Sequence, residues 1–193
     1  MKIGVSGKSG SGKSSVSRYI SEALNFTLID LDIVSKNIRN EYKNEIQKLV
    51  NEDIIVDGEI DSKKLGSILF ENKDMMNKYN LFIYEKQKEI LEEYKNEDIV
   101  IDSMFLPIMD IFNDLDVKIF VTCKDEIREK RVTSRDNITR EYFLSRDKNS
   151  LNYDETLFDY VINNDIEYLE QTNEIISKIK KWFASLFLFE VLP

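Results

Sequence analysis

Histidine is absent from the 193-residue chain, and cysteine occurs once, as Cys123. These two scarcities exclude Ser-His and Cys-His triads, His-ligated metals, a disulfide within the chain and multi-cysteine metal sites. Acid–base chemistry must therefore use carboxylates, lysine or tyrosine. A single cysteine fits a reducing compartment, so we predict a cytoplasmic location. We expect Cys123, at a strand end, to pack as a small hydrophobic residue rather than act as a nucleophile.

Basic charge and long apolar runs are also scarce. The 27 Lys and Arg residues are outnumbered by 36 Asp and Glu residues, which gives a formal net charge of −9. This balance argues against nucleic-acid or anionic-membrane partners, so any phosphate must be bound by a local site. The most apolar run, "WFASLFLFE", is shorter than the roughly 18–20 residues of a membrane span. We also expect no secretion signal, because only six residues precede the glycine-rich motif.

Glycine occurs six times, and four of these residues lie in the stretch "GVSGKSGSGKSSVS" near the start of the chain. Residues 7–14 match G-x-x-x-x-G-K-[ST], the P-loop, in which glycine lets successive backbone N–H groups approach phosphates closely. Lys13 would reach the β- and γ-phosphates, and the Ser14 hydroxyl would bind Mg²⁺. The alternative is a glycine-rich turn without a ligand. The residues predicted to bind ATP are Gly7, Ser9, Gly10, Ser11, Gly12, Lys13, Ser14, Ser15, Arg131 and Arg135.

Strand and helix patterns alternate along the chain. Five short apolar runs read as strands: "KIGVS", "FTLID", "DIVIDS", "VKIFVT" and "DYVINN". Helical spacing of apolar residues predicts the intervening helices, including one continuous helix over 33–50 and a last helix from about Asp165. The alternation predicts an α/β fold of the P-loop NTPase type, with a parallel five-stranded sheet flanked by helices. No linker divides the chain, so we predict a single domain.

Carboxylates follow two of these strands. Asp30 and Asp32 come after the second strand, and Asp102 ends the strand "IVID". Ligands of open α/β sheets bind beyond the carboxyl ends of the strands, where a carboxylate can accept a hydroxyl proton or hold Mg²⁺ through water. The predicted metal ligands are therefore Ser14, Asp32 and Asp102. In the alternative interpretation, Asp32 only caps a helix beginning at Ile33, and Asp102 caps the end of its strand.

A basic segment within this acidic chain contains Arg128, Lys130, Arg131, Arg135, Arg140 and Arg146. Arg131 and Arg135 are one helical turn apart and share a face. The segment is either a lid that closes over ATP and neutralises the transferring phosphoryl group, or a solvated helix face paired with Asp125, Glu126 and Glu129. The chain lacks D-x-x-G and N-K-x-D, which excludes an ordinary GTPase. Another small-molecule kinase and a nucleotide-binding regulator without catalysis remain as alternatives.

These motifs resemble the dephospho-CoA kinase family over about residues 2–165. The resemblance rests on "GKSGSGKSSVS", "LIDLDIVSKNI", "IVDGEIDSKKLGSILF", "IVID", "REKRVTSRDNITREY" and "FDYVINN". It implies ATP-dependent phosphorylation of the ribose 3′-hydroxyl of dephospho-CoA. The chain departs from the family at Lys8, where glycine is usual, and at Ser62, Tyr84-Glu85 and Met104.

The resemblance also implies roles for individual residues. Asp32 is similar to the catalytic base, with Asp30 in support, and Arg135 is similar to the lid arginine that acts on ATP together with Lys13. It implies a core of about 1–32 and 97–193, an acceptor-binding helical region of about 33–96 and a lid of about 131–150. The predicted acceptor-binding residues are Asp30, Asp32, Lys64, Leu65 and Asp102.

The apolar end of the chain, "KKWFASLFLFEVLP", has two interpretations. It packs on the core as a last helix, which fits a monomer, or it forms a self-association surface. We expect the packed helix and the monomer.

Overall fold

The computed structural model describes residues 1–148, 150–151 and 153–189, the last five of them as backbone only. The chain forms two compact units. The first comprises Met1–Ile29 and the chain from Glu97 onwards, and the second comprises residues 30–96. The strands are β1 (Lys2–Ser6), β2 (Thr27–Asp30), β3 (Ile55–Val56), β4 (Glu59–Ile60), β5 (Ile99–Asp102), β6 (Val117–Thr122) and β7 (Tyr160–Asn163). The helices are α1 (Lys13–Leu24), α2 (Leu31–Glu41), α3 (Lys43–Val50), α4 (Ser62–Glu71), α5 (Lys73–Glu93), α6 (Asp125–Asp136), α7 (Arg140–Asp147) and α8 (Leu169–Phe189).

A five-stranded parallel sheet in the order β2-β5-β1-β6-β7 confirms the predicted fold. All four residues of β5 are buried, as expected for a parallel strand that helices cover on both faces. The register places Val5 of β1 beside Asp102 of β5 and Ile119 of β6. The carboxyl ends of these central strands therefore lie together, at the edge where ligands of such sheets bind.

The core of the first unit lies between the sheet and helices α1 and α8. Val16 and Ile20 of α1 and Ile176 of α8 pack on Ile3 and Ile119 of the sheet, and all five side chains are buried. Burial of side chains of this size contributes about 1.5–3 kcal/mol each, which makes this apolar face the main support of α1. The loop before α1 is thus anchored at both ends by core-forming elements.

The last helix begins at Leu169, four residues later than Asp165, where the sequence predicted it. Two hydrogen bonds hold Asp165 in a turn instead. Its backbone N–H donates to Asn163 Oδ1 at 2.9 Å, and its carboxylate accepts the backbone N–H of Lys124 at 2.8 Å. At the apolar chain end, residues 180–193, the Phe183 ring packs edge-on against Phe26 with centroids 6.0 Å apart, and Trp182 is exposed. Residues 190–193 and the side chains of 185–189 lie outside the described residues.

In the second unit, the single helix predicted for 33–50 is wrong. Two helices, α2 and α3, meet at Tyr42, whose φ and ψ of −102° and 27° are not helical. The Tyr42 ring packs edge-on against Phe82 of α5, with ring centroids 5.9 Å apart. Ile38 before the break and Ile46 after it are both buried in one core. Local spacing could not predict the break, because the same apolar stripe serves one helix or two.

A small antiparallel ribbon of β3 and β4 follows, and neither strand was among the five predicted from the sequence. Asp57 and Gly58 both have positive φ, at 50° and 83°, as the tight turn of a two-residue hairpin requires. Asp61 then caps α4, because its Oδ1 accepts the backbone N–H groups of Lys63 and Lys64 at 2.9 and 3.1 Å. Among the described residues, no helix is both long enough and apolar enough to cross a bilayer.

Candidate active site

The glycine-rich loop runs from the end of β1 to the start of α1. Its Ser11 N–H donates to the carbonyl of Lys8 at 3.0 Å. The Gly12 carbonyl accepts the N–H groups of Ser15 and Val16 at 3.0 and 3.2 Å, so α1 begins directly at the end of the loop. A helix N-terminus in this position attracts anions through its backbone N–H groups. Lys8 contributes only its backbone carbonyl to this turn, and any residue could supply that group.

The loop glycines are required by crowding as well as by backbone conformation. Gly10 and Gly12 have φ of 81° and 94°, in the region that favours glycine. A Cβ on Gly10 would lie 2.8 Å from the carbonyl oxygen of Arg128, and one on Gly12 would lie 2.0 Å from Asn164 Nδ2. Residues far along the chain therefore close around the loop and leave no space for side chains at these positions.

Lys13 and Asp102, both predicted site residues, form a buried ion pair. Lys13 Nζ lies 3.2 Å from Asp102 Oδ1, and their side chains are 11% and 1% exposed. The end of β1, which leads into the loop, is joined to the end of β5 by Ser6 Oγ, which donates to the Ser103 carbonyl at 2.8 Å. A carboxylate buried this deeply requires a cation nearby, and Lys13 provides it. Ser14 and Ser15 follow Lys13 on the first turn of α1, half-buried and exposed.

Three side chains from distant elements bind the outward carbonyls of the loop. Arg128 Nε donates to the Ser9 carbonyl at 3.2 Å. Arg131 Nη1 donates to the carbonyls of Gly10 and Ser11 at 3.3 and 3.4 Å. Asn164 Nδ2 donates to the Ser11 carbonyl at 2.7 Å, and the Asn164 carbonyl accepts from Arg131 Nη2 at 3.1 Å. Sequence reasoning missed these roles of Arg128 and Asn164, since more than a hundred residues separate each from the loop.

Arg128 does not fit the alternative in which the basic segment is a solvated helix face. It is 1% exposed, and its guanidinium pairs with Asp125, at 2.8 Å, and with Asp147. The exposed pair of Arg140 with Glu129, at 3.1 Å, does fit a solvated face. The basic segment is therefore divided between arginines that face the loop and arginines that face solvent.

Arg135 lies in the last turn of α6, with its side chain 63% exposed. Its Nε and Nη2 contact the two carboxylate oxygens of Asp136 at 2.7 and 3.1 Å. These hydrogen bonds hold the pKa of Asp136 below its ordinary value. The contact of Arg135 with ATP stays a prediction, as does a direct contact of Arg131 with ATP.

Cys123 is buried, which confirms that it packs as a small hydrophobic residue. Burial raises the pKa of its thiol, although Arg131, whose Nη1 lies 3.5 Å from the sulfur, acts in the opposite direction. A thiol with a raised pKa stays protonated at neutral pH and is a poor nucleophile.

In the second unit, the helix cap is Asp30 rather than Asp32. Asp30 Oδ1 accepts the backbone N–H groups of Asp32 and Ile33 at 2.9 and 3.2 Å. Asp32 therefore lies inside the helix, in the first turn of α2, and is exposed. Of the other predicted acceptor-binding residues, Lys64 is exposed and its Nζ donates to the Asp53 carbonyl at 2.5 Å, whereas Leu65 is buried in the unit's own core.

Comparisons with known proteins agree with this geometry. The family model described as Dephospho-CoA kinase matches residues 1–170. A dephospho-CoA kinase of Fusobacterium nucleatum is 35% identical, over 96% of this chain and 98% of the relative. A Thermus thermophilus crystal structure has a TM-score of 0.77 at 21% identity, over 100% of this chain and 98% of the other. The dephospho-CoA kinase from Campylobacter jejuni has a TM-score of 0.57 at 20% identity, over 94% and 97% of the two chains. At these identities the two structures show the fold, and the family model and the relative show that the chain belongs to the dephospho-CoA kinase family.

Proposed function

We propose that the chain transfers the γ-phosphoryl group of ATP to the ribose 3′-hydroxyl of dephospho-CoA, which gives CoA. The observation that carries this proposal is the family match over residues 1–170, which includes the whole phosphate-binding loop. Both substrates are small molecules with phosphate groups. The loop offers them a local site on a chain whose formal net charge is −9.

The loop, residues 7–14, would bind the phosphates of ATP. Its glycines bring the backbone close to the phosphates, and the N-terminus of α1 adds N–H groups. Lys13 would place its positive charge at the β- and γ-phosphates. The Lys13–Asp102 pair, 3.2 Å apart, supports this role because it fixes the ammonium group before substrate binds. Preorganised charge of this kind is the main source of catalysis in phosphoryl transfer.

Mg²⁺ would be held by the Ser14 hydroxyl and, through water, by Asp102 and Asp32. These are hard oxygen donors, which suit this ion. Among the described residues, no group of three or more Cys, Asp and Glu side chains could hold a metal ion. Mg²⁺ usually takes most of its ligands from water and substrate phosphates. When bound, it would neutralise charge on the phosphates.

Asp32 would accept the proton of the attacking 3′-hydroxyl. Its position in the first turn of α2 supports the proposal, because Asp30 already satisfies the backbone N–H groups there. A base must present its carboxylate to the substrate, and the Asp32 side chain is exposed. Asp30 would support the site by fixing the backbone that carries Asp32.

We propose roles for the acceptor-binding region and the lid from the family resemblance. Residues 33–96 would bind the acceptor, with Lys64 among the contacts and Leu65 in support from the unit's core. Residues 131–150 would form a lid from which Arg135 stabilises the phosphoryl group in transfer. A cytoplasmic location and a monomeric state complete the proposal, and the single cysteine supports the location because it fits a reducing compartment.

An acceptor panel tests the proposal. ATP consumption is measured with dephospho-CoA, nucleosides and nucleoside monophosphates, each with and without Mg²⁺. We expect Mg²⁺-dependent turnover with dephospho-CoA and little with the other acceptors. Turnover with another acceptor but none with dephospho-CoA would contradict the proposal, and ATP binding without any transfer would indicate a regulator.

The role of Asp32 is tested by the Asp32→Asn variant. We expect kcat to fall by about 10²–10⁴-fold, the usual contribution of a general base, while the Kd for ATP is unchanged. Asp74→Asn is the matched control, because Asp74 also lies in the first turn of a helix in the second unit. Equal kcat values for the two variants would remove Asp32 from the mechanism.

A further inference from the structure

The outward carbonyls of the phosphate-binding loop are bound by what we call the carbonyl bracket, formed by Arg128, Arg131 and Asn164. Its donors reach three consecutive carbonyls at 2.7–3.4 Å, those of Ser9, Gly10 and Ser11. We propose that the bracket positions the loop for the phosphates of ATP. The three side chains would act as positioning residues, through the loop backbone rather than by touching the phosphates. This inference rests on the proposed ATP-binding role of the loop.

Peptide geometry explains how donors behind the loop affect its inner face. In a trans peptide the C=O and N–H bonds point in opposite directions. Arg128 draws the Ser9 carbonyl outward, so the N–H of Gly10 points inward. Arg131 and Asn164 act in the same way through the Ser11 carbonyl, which turns the N–H of Gly12 inward. Inward N–H groups are the donors with which such a loop binds phosphate.

The burial of the bracket indicates a specific arrangement. Arg128 is 1% exposed and Asn164 is 5% exposed. A buried guanidinium needs several partners, and Arg128 has Asp125 and Asp147 on its Nη atoms, with Nε directed at the Ser9 carbonyl. Its guanidinium also lies over the Phe143 ring, 5.7 Å from the centroid. Because Asp147 and Phe143 belong to α7, the bracket also ties the loop to the proposed lid.

The test measures phosphate binding without a nucleoside or an acceptor. The probe is inorganic tripolyphosphate, and its Kd is measured by calorimetry for Arg131→Met, Asn164→Ala and Arg128→Met. We expect each Kd to rise about 10- to 100-fold, the usual effect of losing a charge-assisted or buried hydrogen bond. Arg18→Met is the control, since Arg18 is an exposed arginine on α1, and its Kd should match that of the unmodified protein.

Thermal unfolding and a rescue variant distinguish a positioning role of the bracket from a loss of folding. Thermal unfolding shows which variants fold, and if Arg128→Met does not, Asn164→Ala and Arg131→Met complete the test. Arg128→Lys keeps one charged donor and should recover part of the affinity. Unchanged tripolyphosphate affinity in the folded variants would overturn the proposal. So would an Arg131→Met variant that weakens ATP binding but not tripolyphosphate binding, because Arg131 would then contact the nucleoside. Neither readout depends on dephospho-CoA, so a failed acceptor assay leaves this test intact.

Discussion

Glycine and lysine residues have different surroundings in the two units of this chain. In the first unit, a Cβ on Gly12 would collide with Asn164, whereas Gly58 and Gly66 of the second unit have nothing within 4 Å of a Cβ position. Lys13 of the first unit pairs with Asp102, which is 1% exposed. Lys86 of the second unit pairs with Glu89, which is 62% exposed.

The difference shows where residue identity depends on distant parts of the chain. Around the phosphate-binding loop, glycine and lysine are fixed by groups from β5, α6 and the end of β7. At Gly58, Gly66 and Lys86 of the second unit, residue identity depends only on local conformation and on exposure to solvent. Substitutions of one residue type should therefore have large effects in the first unit and small ones in the second.

Lys13→Met should have the largest effect. It leaves Asp102 buried without its cation, which costs about 3–5 kcal/mol of the free energy of unfolding, and it removes the charge at the phosphates. Urea denaturation and kcat measure the two losses. The double variant Lys13→Met/Asp102→Asn should recover much of the stability but none of the activity. Lys86→Met should change neither the free energy of unfolding nor kcat appreciably. A loss as large as that of Lys13→Met would contradict the difference between the two units.

Gly12→Ala should be the next most damaging change. A φ of 94° costs an L-residue about 1–2 kcal/mol, and displacing Asn164 adds about 1–3 kcal/mol. Gly58→Ala has nearly the same φ without the collision, so it should lose only the first amount. The difference between the two free energies of unfolding measures the crowding. Equal losses of unfolding free energy in the two variants would show that Asn164 moves aside without an energetic cost.

Gly66→Ala should stabilise the protein. Gly66 lies in the interior of α4, exposed, with open space around its Cβ position. Alanine is favoured over glycine in a helix by about 0.5–1 kcal/mol. A rise of this size in the free energy of unfolding, with unchanged kcat, would sharpen the contrast with Gly12. Destabilisation would show a constraint on Gly66 that the packing does not reveal.

The Arg135–Asp136 pair should have the smallest effect, and the pH dependence of that effect falls in the acid range. The pKa of Asp136 is lowered in the folded state, so the pair stabilises the protein above the ordinary pKa of aspartate. This contribution is lost as the pH falls from about 4 through the lowered pKa. It should amount to about 0.2–1 kcal/mol, because solvent screens a pair this exposed. Asp136→Asn should lose less stability than the unmodified protein between pH 5 and pH 3.

Local pattern was enough for much of the fold. The five sheet strands were predicted because continuous apolar runs between polar segments are typical of buried parallel strands. The helices between them were predicted from the helical spacing of their apolar residues, which is also a local signal. The break at Tyr42 and the late start of α8 were missed, because contacts from other elements decide both.

The candidate site was predictable to the same extent. The loop motif, Lys13 and Asp102 stand out in the sequence, and the structure brings the last two together. Arg128 and Asn164 carry no local signal, since a buried arginine and an exposed one look alike in sequence. Arg131 was predicted to bind ATP, but only the structure shows the loop carbonyls of Gly10 and Ser11 as its partners.

The position of the transferred phosphate tests the central claim most directly. The chain is incubated with ATP, Mg²⁺ and dephospho-CoA, and the product is examined by phosphorus and proton NMR. We predict one new phosphate monoester on the ribose 3′-oxygen, formed by the unmodified protein and greatly slowed in Asp32→Asn. A phosphate on any other oxygen, or no phosphorylated product, would contradict the account.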